Sequence, residues 1–427
     1  MNSQRMTEKL IFFTVLVFAL WGPKLGGYLD LMVLVPAVGV FVLAVTSTRM
    51  HLPLNIYVNS GLIASGIVVW GVISMLINGA RDPQGVLRSA RAVVTLLILF
   101  PLFYFAAKQR IFSMEGAFKL LIGVMLLNAV AVYLQIFYMP VQELMSVVWG
   151  FNKTIREGRA FGLTAGYDTA GYLIAFASSA TLAASTILRS WRWLLTSLFA
   201  AVAVGFTSRT SMLLFFALVV LSLLLTKSYW RGNGLRIIVI LAGSGAAAAM
   251  FMLPRLAAGV TELAWLKDDD EEDFTEYYAH TSITDVIHSM VDFPGNLVGW
   301  LMGEGQMPDW SDVGYVKIIY LGGLPLLLLM MVFYGYLVGT AKLALHTCMR
   351  RARFDRNEVS WILIWLLLLL FLSAIMLLGN FKNLYLFARG YHELFVVVSA
   401  LSMGFARSFE LNYTDNAGQE KGGPSSI

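Results

Sequence analysis

Long apolar runs alternate with short polar segments along almost the whole chain. A hydrocarbon layer of roughly 30 Å takes about 20 apolar residues per helix, and the pattern predicts about twelve such spans. They are Leu10–Trp21, Tyr28–Val45, Tyr57–Ile77, Leu87–Ala106, Ala117–Met139, Gly166–Ile187, Trp193–Phe206, Thr210–Leu225, Arg236–Leu253, Val313–Leu337, Val359–Leu378 and Leu386–Phe405. No small-residue cleavage site follows Trp21, so the first run reads as a retained helix and not as a signal peptide. Two longer polar stretches interrupt the runs, at about Pro140–Ala165 and Arg255–Asp312. The expected fold is therefore all-α and polytopic, one membrane domain over residues 1–409. Residues 410–427, rich in Gly, Ser, Asn and Glu, read as a disordered tail.

The basic residues orient this pattern. With the N-terminus inside, Arg49, Lys108, Arg110, Arg189, Arg192, Lys227, Arg231 and Arg236 fall in cytoplasmic turns, as do Lys342, Arg350, Arg351, Arg353 and Arg356. That agrees with the positive-inside rule and places both termini in the cytoplasm. Both long polar stretches then lie outside.

Composition supports the same reading. Of 427 residues, 58% are hydrophobic and only 13% charged, with a mean hydropathy of +0.72. That is too little charge to cover a soluble protein of this size. The net charge of +5 follows the topology and does not form a nucleic-acid-binding patch. The single cysteine, Cys348, rules out an intrachain disulfide. There is no zinc motif, nucleotide motif or phosphate-binding glycine loop, so no metal, cofactor or ATP is expected.

Arginine at membrane depth is costly and is by default a functional hypothesis. Arg159 precedes the sixth span, Arg209 sits in the turn between the seventh and eighth, Arg255 follows the ninth, and Arg389 lies just inside the last. The seventh and eighth spans hold about 15 residues each, or roughly 22 Å. Their turn can thus lie below the outer surface. Guanidinium groups suit phosphate because their planar fork donates paired hydrogen bonds. Snorkelling to headgroups is the ordinary competing explanation, and the one preferred for Arg88, Arg91, Arg255 and Arg389 when each is taken alone. The longer loop carries an acidic run, Asp268–Asp273, without EF-hand spacing, which reads as solvated loop. Ile283, Val286, Ile287, Met290 and Val291 then predict a short amphipathic helix. Trp265, Tyr277, Tyr278, Trp300 and Trp310 read as interface aromatics.

Three segments carry a resemblance. Arg159-Ala160-Phe161-Gly162-Leu163 before a Gly/Ala-rich span is similar to a recurring segment of bacterial O-antigen polymerases and ligases, as is Phe206-Thr207-Ser208-Arg209. The third is Gly303-Glu304-Gly305 with Ser311-Asp312-Val313-Gly314-Tyr315 and Leu321-Gly322-Gly323-Leu324-Pro325. The chain has Tyr167-Asp168 where the family often has Pro-Asn. It has Ser311-Asp312 where ligases tend to carry His-Asn, which looks more like a polymerase. The resemblance implies a GT-C-like, metal-independent inverting glycosyltransferase of the inner membrane. Its substrates would be undecaprenyl-pyrophosphate-linked glycans, both donor and acceptor, and a chain-length regulator is an expected partner. Arg159, Arg209, Arg255 and Arg389 would hold the pyrophosphate. Asp312 is the favoured base, with Glu304, Asp309, His280 and His288 as rivals. An O-antigen ligase and a lipid-linked oligosaccharide flippase are the alternative functions.

Overall fold

A computed structural model describes residues 2–25, 29–46, 53–149, 159–164, 166–229, 242, 292–308, 313–351, 356–381 and 388–421. Within them the regular structure is helical, apart from one two-residue antiparallel pairing in which Lys24 faces Asp30 and Leu25 faces Leu29. Helix α1 runs Asn2–Trp21, α2 Leu31–Thr46, α3 Leu54–Ile77, α4 Gln84–Lys108 and α5 Met114–Phe137. Then come α6 Met139–Trp149, α7 Tyr167–Ile187, α8 Trp191–Gly205 and α9 Arg209–Leu225. The last four are α10 Leu297–Met302, α11 Gly314–Arg351, α12 Arg356–Gly379 and α13 Tyr391–Lys421. Six of them are long and apolar enough to cross a membrane: α3, α4, α5, α7, α11 and α12.

Local chemistry sets several boundaries. Ser113 caps α5 by accepting from the Gly116 N–H, and Ser208 caps α9 by accepting from the Ser211 N–H. At the start of α13, Glu393 reaches back to the Gly390 N–H at 2.7 Å, the reciprocal half of a capping box.

Helix α7 is the hub of one half of the bundle. Almost all of its residues are buried, and Ala, Ser, Gly and Thr dominate them. Small side chains let neighbouring backbones approach closely where lipid gives no hydrophobic push. Ser178 and Ser197 of α8 exchange hydroxyl-to-carbonyl bonds of 2.9 and 2.8 Å. Gly171 leaves room for Ser211 and Thr207, which a Cβ there would strike. In the other half, α13 lies along α4, with Gly404 against the Tyr104 carbonyl.

Three sequence expectations change. The outer stretch Pro140–Ala165 contains α6, because Pro140 falls in a helix's first turn, where its missing N–H costs nothing. The tenth predicted span belongs to α11, whose backbone breaks at Gly322 (φ −160°, ψ 23°) and Gly323 (φ 69°, ψ −172°). Residues 410–421, expected to be disordered, continue α13 as helix. No glycine or proline interrupts them before Gly418, and Arg407 pairs with Glu410 at 2.8 Å across one turn. The ninth predicted span, most of the long outer loop and its predicted amphipathic helix lie outside the described residues.

Candidate functional site

The Arg159 segment is held by polar side chains from inside α5. Gln135, buried within that apolar helix, accepts from the Phe161 and Gly162 N–H groups at 3.0 and 2.9 Å. Its amide nitrogen donates to the Gly162 carbonyl at 2.7 Å. One turn-pair earlier, Asn128 Oδ1 accepts from the Leu163 N–H at 2.7 Å. Gln142 of α6 donates to the Arg159 carbonyl at 2.7 Å. Gly162 takes φ +58°, and a Cβ there would collide with Asn128 Oδ1. Buried backbone needs such partners, so this clamp fixes where Arg159 leaves the bundle.

The Arg209 turn meets the same segment. The Ala160 N–H donates to the Phe206 carbonyl at 2.8 Å. Phe206 is followed by Thr207, the Ser208 cap and Arg209, the first residue of α9. Ser211 Oγ donates to the Asp168 carbonyl at 3.3 Å, tying that helix start to the first turn of α7. The segments bearing Arg159 and Arg209 are thus joined by a backbone bond between Ala160 and Phe206, although the two arginines are about fifty residues apart in the chain. Arg159 is half-buried.

Arg389 belongs to a second station. Its Nη2 donates to Asp30 at 2.6 Å and to the Gly22 carbonyl at 3.1 Å, and its Nε contacts Met32 Sδ at 2.9 Å. Arg389 therefore straps the first interhelical turn to the start of α13. That turn includes Asp30. Trp21, next to Gly22, donates to the Val124 carbonyl of α5 at 3.0 Å. Val124 lies roughly 16 Å along α5 from Gln135 at 1.5 Å per residue. The described contacts join the Arg159 and Arg209 segments to each other and Arg389 to the Gly22–Met32 turn. Arg255 lies outside the described residues.

Beside Arg389, Arg91 pairs with Glu393 at 3.5 Å, with side-chain exposures of 13% and 0%. Snorkelling does not describe Arg91, because this residue, two turns inside α4, pairs with a fully buried carboxylate of α13. The next residue, His392, is also fully buried. Its Nδ1 lies 2.7 Å from Tyr334 Oη and its Nε2 2.9 Å from the Ala92 carbonyl. Asp30, Glu393, His392 and Tyr334 escaped sequence reading. The available signal was a His-Glu pair inside a long apolar run, since ionisable residues at that depth are rare and usually functional.

The third segment of the resemblance closes on the break in α11. The Glu304 N–H donates to the Tyr320 carbonyl at 2.6 Å, and Trp70 Nε1 donates to the Gly322 carbonyl at 2.7 Å. Ser74 Oγ lies within hydrogen-bond reach of the Met302 and Leu321 carbonyls. These bonds take up carbonyls that the broken helix frees. Gly303 and Gly323, both with positive φ, let α10 approach within backbone contact. The Glu304 side chain is exposed. Asp309, Asp312, His280 and His288 lie outside the described residues.

The helices, their apolar lengths and the intramembrane polar clamps define a multi-pass helical membrane protein. No known family model matches the chain, and no curated protein matches it.

Proposed function

We propose that the protein is a surface-polysaccharide polymerase of the inner membrane, resembling O-antigen polymerases. It would move a growing glycan from undecaprenyl pyrophosphate to the end of another lipid-linked unit at the periplasmic face. The observation that supports this most is the bond between the Arg159 and Phe206–Arg209 segments, held from inside the bundle by Gln135 and Asn128. A donor lipid brings a diphosphate to the membrane surface, and its departure develops negative charge on the leaving oxygen. Two arginines on rigid, neighbouring backbones supply preorganised positive charge there without a metal. A carboxylate or imidazole from the 255–312 loop would take the acceptor hydroxyl proton. Asp312 remains the proposed base, ahead of Glu304, His280 and His288. Attack opposite the pyrophosphate inverts the anomeric centre.

In this reading the twelve spans place both termini in the cytoplasm. Lys108, Arg110, Arg189, Arg192, Lys227, Arg350, Arg351 and Arg356 then face the cytoplasm, in accord with the positive-inside rule. The broken helix α11 is the feature that favours a transporter as the second reading, because discontinuous helices mark many transport sites. The two separate in one complementation experiment in a polymerase-null strain. Wild type should restore glycan ladders on a gel, and Arg159→Ala or Arg209→Ala at equal protein level should leave single-unit glycan. Full ladders from both variants would overturn the arginine assignment. Failure of wild type to restore ladders, with altered sidedness of the lipid-linked unit, would favour the transporter.

A further inference from the structure

Helix α6 follows α5 after a single extended residue, Tyr138 (φ −136°, ψ 92°). The sequence pattern puts this helix outside the membrane, yet its contacts lead back along α5. Met145 Sδ lies 3.0 Å from the Gln135 amide nitrogen. At the far end of α6, Trp149 Nε1 donates to the Trp21 carbonyl at 2.8 Å. Trp21 Nε1 in turn donates to the Val124 carbonyl at 3.0 Å. Val124 lies roughly 20 Å before the end of α5 at 1.5 Å per residue. An α6 that ran onward from α5 would carry Trp149 to about 36 Å from Val124, far beyond the reach of one tryptophan. Helix α6 therefore doubles back beside α5.

The two faces of α6 differ. Gln142, on the inner face, is buried and donates to the Arg159 carbonyl at 2.7 Å. On the outer face, Leu144 and Val147 are 65% and 80% exposed. Helix α5 is long and apolar enough to cross a membrane. Its exposed stripe of Leu127, Val130, Leu134 and Phe137, at helical spacing, is thus a lipid-facing surface. That stripe runs through exposed Tyr138 and Met139 into the outer face of α6 without a polar break. The only charge in α6, Glu143, falls in its first half, nearest the α5 end. The polar layer of the bilayer, about 5–7 Å on each side of the hydrocarbon, takes it there. A helix satisfies its own backbone, so returning to membrane depth leaves few groups unpaired. We propose that α6 is a re-entrant helix, dipping back into the leaflet at the C-terminal end of α5, with acyl chains covering Leu144 and Val147. Through Gln142, its depth then sets the depth of the Arg159 backbone. This goes beyond the polymerase reading and does not depend on it.

A depth measurement on the full-length protein in nanodiscs tests it. Nitroxide labels are placed by Met139→Cys, Leu144→Cys or Val147→Cys in a Cys348→Ala background, with Leu134→Cys as the lipid reference. Collision with oxygen, which concentrates among acyl chains, is compared with collision with a water-soluble nickel chelate. The oxygen-to-nickel ratio should rise from Met139 through Leu144 to Val147 by at least about threefold, as the helix passes from the polar layer into hydrocarbon. A flat ratio means a helix lying along the surface, and a falling one a helix projecting into water; either overturns the proposal. Protection of Leu144 and Val147 from both reagents places another part of the chain or a second copy over this face, and also overturns it. The unsubstituted protein gives an independent reading by footprinting. A membrane-soluble carbene reagent should modify Leu144 and Val147, while hydroxyl radicals from the aqueous phase should leave them untouched. The reverse pattern overturns the proposal. Neither readout involves glycan synthesis.

Discussion

Replacing Gln135 with methionine preserves side-chain length and helix propensity but removes the amide that holds the Arg159 segment. Three backbone bonds are lost: from the Phe161 N–H, from the Gly162 N–H and to the Gly162 carbonyl. Gln135 is 1% exposed, so water does not replace them without rearrangement. A buried polar group left unpaired costs about 1–3 kcal/mol. With three groups affected and partial relaxation of a six-residue segment, local opening should become easier by about 3 kcal/mol. At 1.4 kcal/mol per decade, this accelerates exchange of those amides roughly a hundredfold. Hydrogen exchange read by mass spectrometry in detergent measures it directly. Peptides covering 159–164 should exchange much faster in Gln135→Met, while peptides from the middle of α7 should change by less than about threefold. Unchanged exchange over 159–164 would refute the clamp. Glycan ladders should shorten in the same variant, because Arg159 loses its fixed starting point.

Other outcomes follow from the second station and the helix break. Glu393→Gln leaves Arg91 facing a neutral group in a nearly dry site, and should lower stability by about 2–4 kcal/mol. A double variant with Arg91→Met should recover part of that loss in a thermal melt, since coupled partners are non-additive. Gly323→Ala forces a left-handed conformation costing about 1–2 kcal/mol and drives its Cβ into the Leu301 carbonyl. Limited proteolysis should then cut near α10, with little change elsewhere. Asp30→Asn removes the charge that faces Arg389 across 2.6 Å. With side chains 27% and 17% exposed, the loss should be modest, about 1–2 kcal/mol in a detergent melt.

Helices were the readable part of this protein because apolar length alone decides them. The predicted runs at Tyr57–Ile77 and Val359–Leu378 fall within α3 and α12. Short α6 was hidden because Pro140 and Gln142 resemble loop, and propensity says little over 11 residues. The clamp was partly visible. Asn128 and Gln135 lie seven residues apart on one face of an otherwise apolar helix, which is an expensive place for amides unless they have work. Sequence could not say what they hold, since the partner segment is about 30 residues on. Arg389 stood out at once, but its partner Asp30 is 359 residues away. No local rule connects them. The Gly322-Gly323 pair hinted at the break in α11. That Trp70 and Ser74 would satisfy its carbonyls is a tertiary fact.

In the proposed reading, Arg159 and Arg209 together grip a diphosphate. Equilibrium binding of undecaprenyl pyrophosphate to the nanodisc-embedded protein tests it most directly, comparing wild type with Arg159→Ala and Arg209→Ala. Each variant should bind at least about tenfold more weakly, equivalent to about 1.4 kcal/mol, with a smaller loss for undecaprenyl monophosphate. Wild-type affinity for the diphosphate in both variants would contradict it.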